Sequence, residues 1–246
     1  MEAIKLLKNG IEKMDMEISD EQIEQFIRYK DILLEWNQKM NLTTITEERE
    51  IIIRHFLDSL SCIQTGYLSI KPTAEEKRGN MIDIGTGAGF PGIPLRIMLP
   101  EIKLTLLDSL KKRIGFLKEV CSELGLDNVE IIHGRAEDFG RDKNYRERYD
   151  YVVSRAVAAL NILVEYCLPF MKVGGHFICQ KGPKLIEEIG DAEKAIKILG
   201  GEIAEQIKID LPFSNRDHHI LIIEKTKQTP TKYPRKAGKP SKNPIK

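Results

Sequence analysis

The chain has 246 residues, a net charge of +1 and 41% hydrophobic residues. A chain of this length can bury a substantial apolar core and does not need disulfide bonds to be stable. The four cysteines lie far apart, and no Cys-x-x-Cys pair or suitably spaced His completes a zinc site. No apolar run reaches the roughly 18 residues of a membrane span, and the sequence opens in charged helical residues rather than a signal peptide. We therefore expect a cytoplasmic chain with no metal site and no membrane partner.

The small net charge hides a division between the last segment and the rest of the chain. Residues 225–246 hold eight of the 38 Lys and Arg residues and no Asp or Glu, which leaves 30 basic against 37 acidic residues before them. A basic segment favours a polyanion as partner, because each neutralised phosphate releases counterions. From charge alone, a solvated and solubilising tail is an equal alternative.

The first sixty-odd residues carry helical patterns. Ser19 and Gln22 form a capping-box signature, and apolar residues follow at helical spacing. Thr46 is the predicted cap of a further helix that ends at about Gln64. The Lys-Pro-Thr stretch at 71–73 then indicates a linker. The pattern predicts a helical unit that precedes the main domain.

Beyond residue 80, short apolar runs alternate with helical patterns, which favours βαβ units and a parallel sheet. The connection 211–217 is too short for a βα crossover, so the last two strands should form an antiparallel hairpin. A sheet that ends in this way is typical of methyltransferases, whereas a dinucleotide-binding sheet continues with parallel strands. The predicted strands cover residues 81–84, 103–107, 129–133, 149–154, 175–180, 202–210 and 218–224, with a helix at about 183–199.

Residues 81–92 form a buried strand that enters a glycine-rich turn before a helix. Glycine permits positive φ and lets a ligand approach the backbone closely. The spacing Gly87-x-Gly89-x-x-Gly92 also fits a dinucleotide fingerprint, and a single match of that kind discriminates poorly. Asp83 favours S-adenosylmethionine, because a carboxylate at the end of this strand can bind the amine of a methionine moiety, directly or through water, but would repel a pyrophosphate.

Three later positions fit the same ligand. Asp108 ends the second strand and can accept hydrogen bonds from ribose hydroxyls, although it could instead cap the following helix. The backbone at Ala136 and Glu137, after the third strand, could bracket an adenine edge. Arg155 follows the fourth strand at the carboxyl end of the sheet, where ligands bind, and an arginine buried there without a partner would be costly.

We therefore expect an α/β fold, a Rossmann-like class I S-adenosylmethionine-dependent methyltransferase. It would have a mainly parallel seven-stranded sheet ending in an antiparallel hairpin, with an N-terminal helical extension. The predicted domains are a helical cap at 1–70, the methyltransferase domain at 71–224 and a basic C-terminal tail at 225–246.

Short motifs occur in order along nearly the whole chain. They are Trp36-Asn37 with Asn41-Leu42-Thr43, His55 with Asp58-Ser59-Leu60, 83–94, 107–109 with Lys112-Arg113, 134–137, 154–158, Gly174-Gly175 with Lys181-Gly182, and 233–238 with Pro240. Together these motifs resemble those of the RsmG family, also called glucose-inhibited division protein B. Members of this family are bacterial small-subunit ribosomal RNA guanine-N7 methyltransferases.

The resemblance implies methyl transfer from S-adenosylmethionine to N7 of a guanine in the 530-loop region of 16S rRNA. The RNA would be presented within a small ribosomal subunit or its precursor, to a monomeric enzyme. The implied cofactor contacts are Asp83, Gly85, Gly87, Phe90, Asp108, Ala136, Glu137 and Arg155. The implied RNA contacts are Asn41, His55, Arg135, Lys181, Arg235 and Lys236.

Guanine N7 carries a lone pair and can be methylated without first losing a proton, so no general base is required. The sequence accordingly has no Ser-His-Asp set and no carboxylate pair at informative spacing. Catalysis would rest on in-line positioning and on stabilising the charge that moves to the purine. A hydrogen bond from Arg155 or Lys181 to O6 would hold the base without blocking N7, which makes these two the candidate catalytic residues.

Two other classes of function stay open. A small-molecule methyltransferase would use the same cofactor loop but leave the basic tail idle. A non-catalytic RNA-binding module would use the tail but leave Asp83 and Asp108 without a purpose. Individual residues also have plainer interpretations, since His55 could be an interior residue and Lys181 an ordinary strand exit.

Overall fold

A computed structural model describes residues 2–68 and 79–245. The predicted linker at 71–73 lies outside them, so the boundary at residue 70 stays a prediction. The N-terminal part is helical, as expected. Its elements are α1 (Glu2–Glu12), α2 (Asp20–Lys39), α3 (Glu48–Ile51), a π-helical segment (Ile52–Leu57) and α4 (Asp58–Gln64).

The start of α2 confirms the predicted capping box. Ser19 Oγ accepts a hydrogen bond from the Gln22 backbone N–H at 3.2 Å, and Gln22 Oε1 accepts one from the Ser19 N–H at 2.9 Å. These two bonds satisfy backbone donors that the first turn of the helix leaves without partners.

The predicted cap at Thr46 is wrong. Helix α3 begins at Glu48, and Glu47 occupies the cap position in an extended conformation without a side-chain hydrogen bond. The preceding loop is held by other side chains, since Asn37 Oδ1 accepts from the backbone N–H groups of Leu42 and Thr43 at 2.8 and 2.9 Å. The loop therefore extends past the residue that local pattern favours, while the helical stretch ends at Gln64 as predicted.

The described residues form one seven-stranded sheet with the order β3-β2-β1-β4-β5-β7-β6. The pairs β5–β7 and β7–β6 are antiparallel and the other neighbours are parallel, which confirms the predicted hairpin and fold. The strands are β1 (Asn80–Ile84), β2 (Lys103–Asp108), β3 (Val129–His133), β4 (Tyr149–Arg155), β5 (Met171–Lys181), β6 (Gly201–Ile209) and β7 (His218–Lys225). The intervening helices are α5 (Gly92–Met98), α6 (Lys111–Glu123), α7 (Ala136–Phe139), α8 (Leu160–Cys167), the 3-10 turn Leu168–Phe170 and α9 (Leu185–Ile198).

The inner strands β1, β2 and β7 are largely buried on both faces, which explains their continuous apolar runs, whereas the edge strand β6 is largely exposed. Met81 belongs to a core shared with the N-terminal helices, whereas its neighbour Ile82 belongs to a second core on the side of α8 and α9. Each fully buried side chain of this kind contributes about 1.5–3 kcal/mol. The N-terminal helices are thus part of one of the two main cores.

An aromatic cluster joins α2 to the glycine-rich loop. The ring of Tyr29 stacks on Phe56 at 5.4 Å and on Phe90 at 5.3 Å. The Tyr29 hydroxyl donates a hydrogen bond to the carbonyl oxygen of Ala88 within the loop. Aromatic pairs of this geometry contribute about 0.5–1.5 kcal/mol beyond their buried area. The N-terminal helices therefore help to hold the loop in place.

The final segment packs against the α/β domain and is not a solvated tail. Lys225 is fully buried, and its Nζ donates to the Leu168 carbonyl oxygen at 2.7 Å. Further along, Arg146 donates to the carbonyl oxygens of Thr229 at 2.6 Å and Tyr233 at 2.7 Å. The segment ends in a short helix, α10 (Lys239–Lys242).

Candidate cofactor and substrate site

The carboxylate of Asp83 lies beneath the glycine-rich loop and is fully buried. Its Oδ2 accepts hydrogen bonds from Thr86 Oγ1 at 2.7 Å and from the Gly92 N–H at 2.9 Å. Its Oδ1 has no hydrogen-bond partner among the described residues, and burial raises the pKa of Asp83 to about 7. A buried acceptor without a partner is unfavourable unless a ligand satisfies it. The amine of S-adenosylmethionine fits that requirement.

The loop has a backbone that requires glycine. Gly85 and Gly87 have φ of +70° and +63°. A Cβ on Gly85 would lie 2.6 Å from a methyl group of Val157, and the Gly87 N–H donates to Asp108 Oδ2 at 2.9 Å. The loop therefore exposes backbone atoms at a point where a side chain would intrude.

Asp108 holds the loop and the start of α6 in place. Besides Gly87, Arg113 Nη1 contacts Oδ2 at 3.0 Å, and the Leu110 N–H donates to Oδ1 at 2.8 Å. Helix α6 begins at Lys111 with Leu110 at the cap position, so Asp108 is not the helix cap. A ribose hydroxyl would share this carboxylate with the existing donors.

A cavity of about 160 Å³ lies beyond the ends of β1 and β2. Ala136 and Glu137, at the start of α7, form part of its wall, as does the exposed Arg135. Glu137 is 5% exposed, and its Oε1 accepts from the backbone N–H of Gly238 at 2.9 Å. The predicted adenine contacts thus surround a real cavity.

Phe90, in the glycine-rich loop, packs against two residues that line the second cavity described below. Its ring stacks on the imidazole of His55 at 4.5 Å, with an interplanar angle of 14°. The guanidinium carbon of Arg155 lies 5.1 Å from the centre of the same ring, within range of a cation–π interaction. Phe90 therefore contacts one predicted cofactor residue and one predicted RNA residue.

Arg155 is held by hydrogen bonds to the N-terminal helices. Its Nη1 donates to Asp58 Oδ2 at 2.5 Å and to the Arg54 carbonyl oxygen at 3.0 Å. Its Nη2 lies 3.0 Å from His55 Nδ1. These partners fix the guanidinium at the carboxyl end of β4, because an arginine with several planar donors satisfied has little freedom to rotate.

His55 is a neutral histidine with both ring nitrogens bonded. Arginine can only donate, so Nδ1 accepts from Arg155 and Nε2 carries the hydrogen, which it donates to Thr43 Oγ1 at 2.8 Å. Burial, followed by the charge of Arg155, lowers the pKa of His55 to about 3. The interior interpretation of His55 fits this setting well, and its contact with RNA stays a prediction.

A larger cleft of about 1000 Å³ opens beside this group. Val157 lines both this cleft and the smaller cavity, so the two meet at that residue. Lys181 also lines the cleft, and its Nζ donates to Glu188 Oε2 at 2.7 Å and to the Ala158 carbonyl oxygen at 2.8 Å. The basic and imidazole side chains that line the cleft are Arg54, His55, Arg155, Lys181, Arg216 and His218.

The other predicted RNA residues lie apart from this cleft. Asn41 and Lys236 are exposed and line neither cavity. Arg235 binds the fully buried carboxylate of Glu165 through Nε and Nη2, at 2.6–3.1 Å. The structure therefore brings together His55, Arg155 and Lys181, and places Arg135 beside the smaller cavity.

Asp58 and His218 also belong to the site, although no role was predicted for either of them from the sequence. Asp58 Oδ1 lies 3.0 Å from His218 Nδ1, on the opposite side of the carboxylate from Arg155. Burial alone would raise the pKa of Asp58, but the hydrogen bonds from His218 and Arg155 outweigh it and lower the pKa. A signal existed for Asp58, since it lies three residues after His55 and shares its helix face. His218 is brought in only by the closing hairpin.

No group of three His, Cys, Asp or Glu residues within 2–68 and 79–245 is placed to hold a metal ion. The four cysteines are buried free thiols. None of the helices in these ranges is both long enough and apolar enough to cross a membrane.

Comparison with known proteins assigns the chain to a family. Residues 22–213 match the family model of rRNA small subunit methyltransferase G. The ribosomal RNA small subunit methyltransferase G of Alkaliphilus oremlandii is 68% identical over 246 residues, with 100% of both chains covered. The protein of the same name from Alkaliphilus metalliredigens is 61% identical, again with 100% of both chains covered.

Solved structures extend the similarity at the level of the fold. A structure described as a predicted O-methyltransferase from Agrobacterium tumefaciens superposes with a TM-score of 0.51 at 17% identity, covering 71% of this chain and 81% of that one. The fold, the Asp83 site and the relatives agree on S-adenosylmethionine as the cofactor. The chain belongs to the rRNA small subunit methyltransferase G family of S-adenosylmethionine-dependent enzymes.

Proposed function

We propose that this enzyme methylates N7 of a guanine in the 530-loop region of 16S rRNA, within a small ribosomal subunit or its precursor. One observation carries the proposal: a cleft lined by four Arg and Lys side chains, beside three carboxylates, shares the lining residue Val157 with the smaller cavity. An RNA bound along these cations could therefore present a base next to the cofactor. The names of the relatives, which are small-subunit rRNA methyltransferases, support RNA as the substrate.

When bound, S-adenosylmethionine supplies a methyl group on a positively charged sulfur. The free oxygen of Asp83 suits its amine, and Asp108 suits its ribose hydroxyls. The backbone of Gly85 and Gly87 allows close approach, and the walls of the smaller cavity suit its adenine. Phe90 and Arg155 would border the reacting end, because the loop residue Phe90 packs against Arg155, which lines the cleft.

The residues of the cleft are suited to orienting a base rather than to removing a proton. His55 stays neutral with both nitrogens bonded, and the Asp58 carboxylate is already bonded to Arg155 and His218. Guanine N7 needs no deprotonation, so this arrangement is sufficient for in-line attack. A hydrogen bond from Arg155 or Lys181 to guanine O6 would set the angle of the base and offset the positive charge that it gains.

The guanine must leave its stack to reach such a cleft. Side chains read single-stranded loops and flipped bases far more readily than paired RNA. We infer that Arg54 and Arg216 bind phosphates beside the extruded nucleotide, because both line the cleft and neither is buried.

Incubation with methyl-labelled S-adenosylmethionine and small subunits that lack the modification tests the proposal. Label should appear in 16S rRNA at one guanine of the 530-loop region. Reduction and aniline cleavage should break the chain at that nucleotide, which is specific to N7-methylguanine. Free 16S rRNA and complete ribosomes serve as parallel substrates that identify the particle on which the enzyme acts.

Each alternative function predicts a different experimental outcome. Label on a small metabolite in the absence of RNA would establish a small-molecule methyltransferase. No binding of S-adenosylmethionine by calorimetry would establish a non-catalytic module. Label on another atom or another region of the RNA would refute the N7 or the 530-loop assignment while leaving rRNA methylation intact.

We also propose that the enzyme acts as a monomer in the cytoplasm. Light scattering during size-exclusion chromatography tests the first statement, and an elution mass of about twice the 28.1 kDa of the chain would contradict it. Fractionation of cells that express the tagged protein tests the second.

A further inference from the structure

The C-terminal segment reaches the smaller cavity. Its basic composition does not predict this contact. We propose that residues 238–241 form one wall of the adenosine-binding site, so that the segment serves cofactor binding. The inference concerns the cofactor alone and holds whichever RNA base is methylated.

Direct contacts place the segment at the cavity. The Gly238 N–H donates to Glu137 Oε1 at 2.9 Å, and Ser241 Oγ donates to the Gly238 carbonyl oxygen at 3.1 Å. Gly238 and Ser241 line the cavity together with Tyr166, Ala136 and Glu137. Gly238 has φ of +78°, a conformation that favours glycine and turns the chain at this point.

The segment is anchored on both sides of this contact. Before it, the Arg235 backbone N–H and guanidinium both bind the buried Glu165 carboxylate, and Arg141 Nε donates to the Pro234 carbonyl oxygen at 2.6 Å. After it, Pro240 and Ile245 are buried, and Ile245 belongs to the core on the side of α8 and α9. The wall is therefore a built part of the fold.

The size and lining of the cavity select the adenosine half of the cofactor. A volume of about 160 Å³ is below the roughly 300–1,000 Å³ of sites that hold a whole drug-sized ligand, so it suits a single ring system. Apolar side chains of Ile84, Leu107 and Val157 supply faces for a flat heterocycle. The methionine half would lie towards the unpaired oxygen of Asp83.

Binding of adenosine and docking of the segment should therefore stabilise each other. A ligand that contacts the docked segment favours docking, and the docked segment raises the affinity for the ligand by the same factor. A basic C-terminal segment would then influence cofactor affinity even without RNA.

Hydrogen-exchange mass spectrometry of the full chain provides the first test. Peptides within 237–246 should exchange more slowly with S-adenosylhomocysteine bound, and also with saturating adenosine, but not with methionine alone. Equal protection by methionine, or no protection by either S-adenosylhomocysteine or adenosine, would overturn the proposal. No methylation is measured, so failure of the RNA assignment leaves this result unaffected.

Calorimetric titration with S-adenosylhomocysteine provides the second test. A chain that ends at Ala237 should bind at least about tenfold more weakly. The matched variant Lys242→Gln keeps residues 238–241 and removes only an exposed charge beside them, so it should bind within about twofold of the wild type. Unchanged affinity of the folded truncated chain would refute the proposal, as would an equal loss in the charge variant. Circular dichroism establishes whether the truncated chain folds, and if it does not, the exchange experiment decides.

Discussion

Arg155 Nη1 lies 2.5 Å from Asp58 Oδ2, which ties the carboxyl end of β4 to the start of α4. The two side chains are 15% and 11% exposed, so the pair is largely shielded from water. The other oxygen of Asp58 contacts His218 at the start of β7. The Asp58 carboxylate thus joins three parts of the chain that are distant in sequence, and it fixes Arg155 at the end of β4, in the lining of the cleft.

The Asp58→Asn substitution keeps the shape of this group and removes its charge. We expect the free energy of unfolding to fall by about 1.5–3 kcal/mol, the range for hydrogen bonds to charged groups. We also expect methyl transfer to fall by at least about tenfold, which corresponds to about 1.4 kcal/mol in the barrier. Urea unfolding and single-turnover kinetics measure the two effects. Asp217→Asn is the control, because Asp217 lines the same cleft but is exposed and pairs with Lys208, and wild-type kinetics in Asp58→Asn would contradict the positioning role.

The free energy of unfolding should depend on pH through the titration of Asp83. Burial raises its pKa from 3.8 to about 7 in the folded enzyme. Between these values the folded state binds a proton that the unfolded state has released. Its stabilising contribution is therefore complete below about pH 3.8 and is lost as the pH rises through about 7. In Asp83→Asn this component of the stability profile should disappear, which urea unfolding from pH 4 to pH 8 measures.

The same variant should separate stability from cofactor binding. At pH 8 Asp83→Asn lacks a buried charge, so we expect its stability without ligand to equal or exceed that of the wild type. Its affinity for S-adenosylhomocysteine should fall by at least about tenfold, because the acceptor for the ligand amine is lost. Calorimetric titration at pH 8 measures the affinity, and wild-type affinity would exclude Asp83 as the partner of the amine.

His55 should stay neutral across the physiological range. Its pKa is lowered from 6.5 to about 3, first by burial and then by Arg155. Between these values the unfolded state binds a proton on His55, whereas the folded state keeps His55 neutral. The stability that His55 contributes is therefore lost as the pH falls from about 6.5 towards 3. Nitrogen-15 NMR from pH 5 to pH 8 should show a constant signal with the hydrogen on Nε2. A midpoint near 6.5 would mean that His55 is accessible and that its bond with Arg155 is not maintained.

The arginine side chains of the cleft should contribute to the salt dependence of RNA binding. Replacement of Arg54 or Arg216 by Gln should lower the slope of log affinity against log salt concentration by about 0.7–0.9 for each phosphate contact that is lost. Lys194→Gln on α9 is the matched control, since Lys194 is exposed and does not line the cleft. Binding of small subunits at several salt concentrations gives the slopes, and three identical slopes would remove the cleft as the RNA-binding surface.

Arg235 and Lys236 are adjacent basic residues with different surroundings, so they separate structure from RNA contact. Arg235→Ala leaves the buried Glu165 without its cation and should lower the free energy of unfolding by about 3–5 kcal/mol. Lys236→Ala removes an exposed side chain and should leave stability within about 0.5 kcal/mol. Thermal and urea unfolding measure both. A stable Arg235→Ala with weakened RNA binding would show that Arg235 acts on RNA rather than on Glu165.

Much of the sheet follows from local sequence because its strands are apolar runs with clear ends. The prediction for β5 was less accurate, since it began at residue 175 whereas the strand begins at Met171. Gly174 and Gly175 resemble a turn, but in the structure they accompany a shift in register between β4 and β5. A glycine pair inside a strand cannot be distinguished from a turn without its pairing partner.

The positions of the residues proposed to bind the cofactor follow more directly from the sequence than the positions of those around the cleft. Asp108 and Arg155 end parallel strands and Asp83 lies one residue before the end of another, and such ends meet at one edge of the sheet whatever the rest of the fold does. Asp58 and His218 meet only because a helical element from before the sheet packs against its closing hairpin. Gly238 reaches Glu137 across 101 residues of chain, and no periodic pattern signals a contact of that kind.

The position of Gly238 and Ser241 in the wall of the smaller cavity has a consequence for synthesis. Translation proceeds from the N-terminus, so the sheet, the glycine-rich loop and Asp83 are all made before this wall. A nascent chain in which residues 238–241 are still inside the ribosome lacks one side of the cavity. If this wall contributes to adenosine binding as proposed, the capacity to bind adenosine should arise only once residues 238–241 have emerged and docked, after the strands that carry Asp83 and Asp108 have been made.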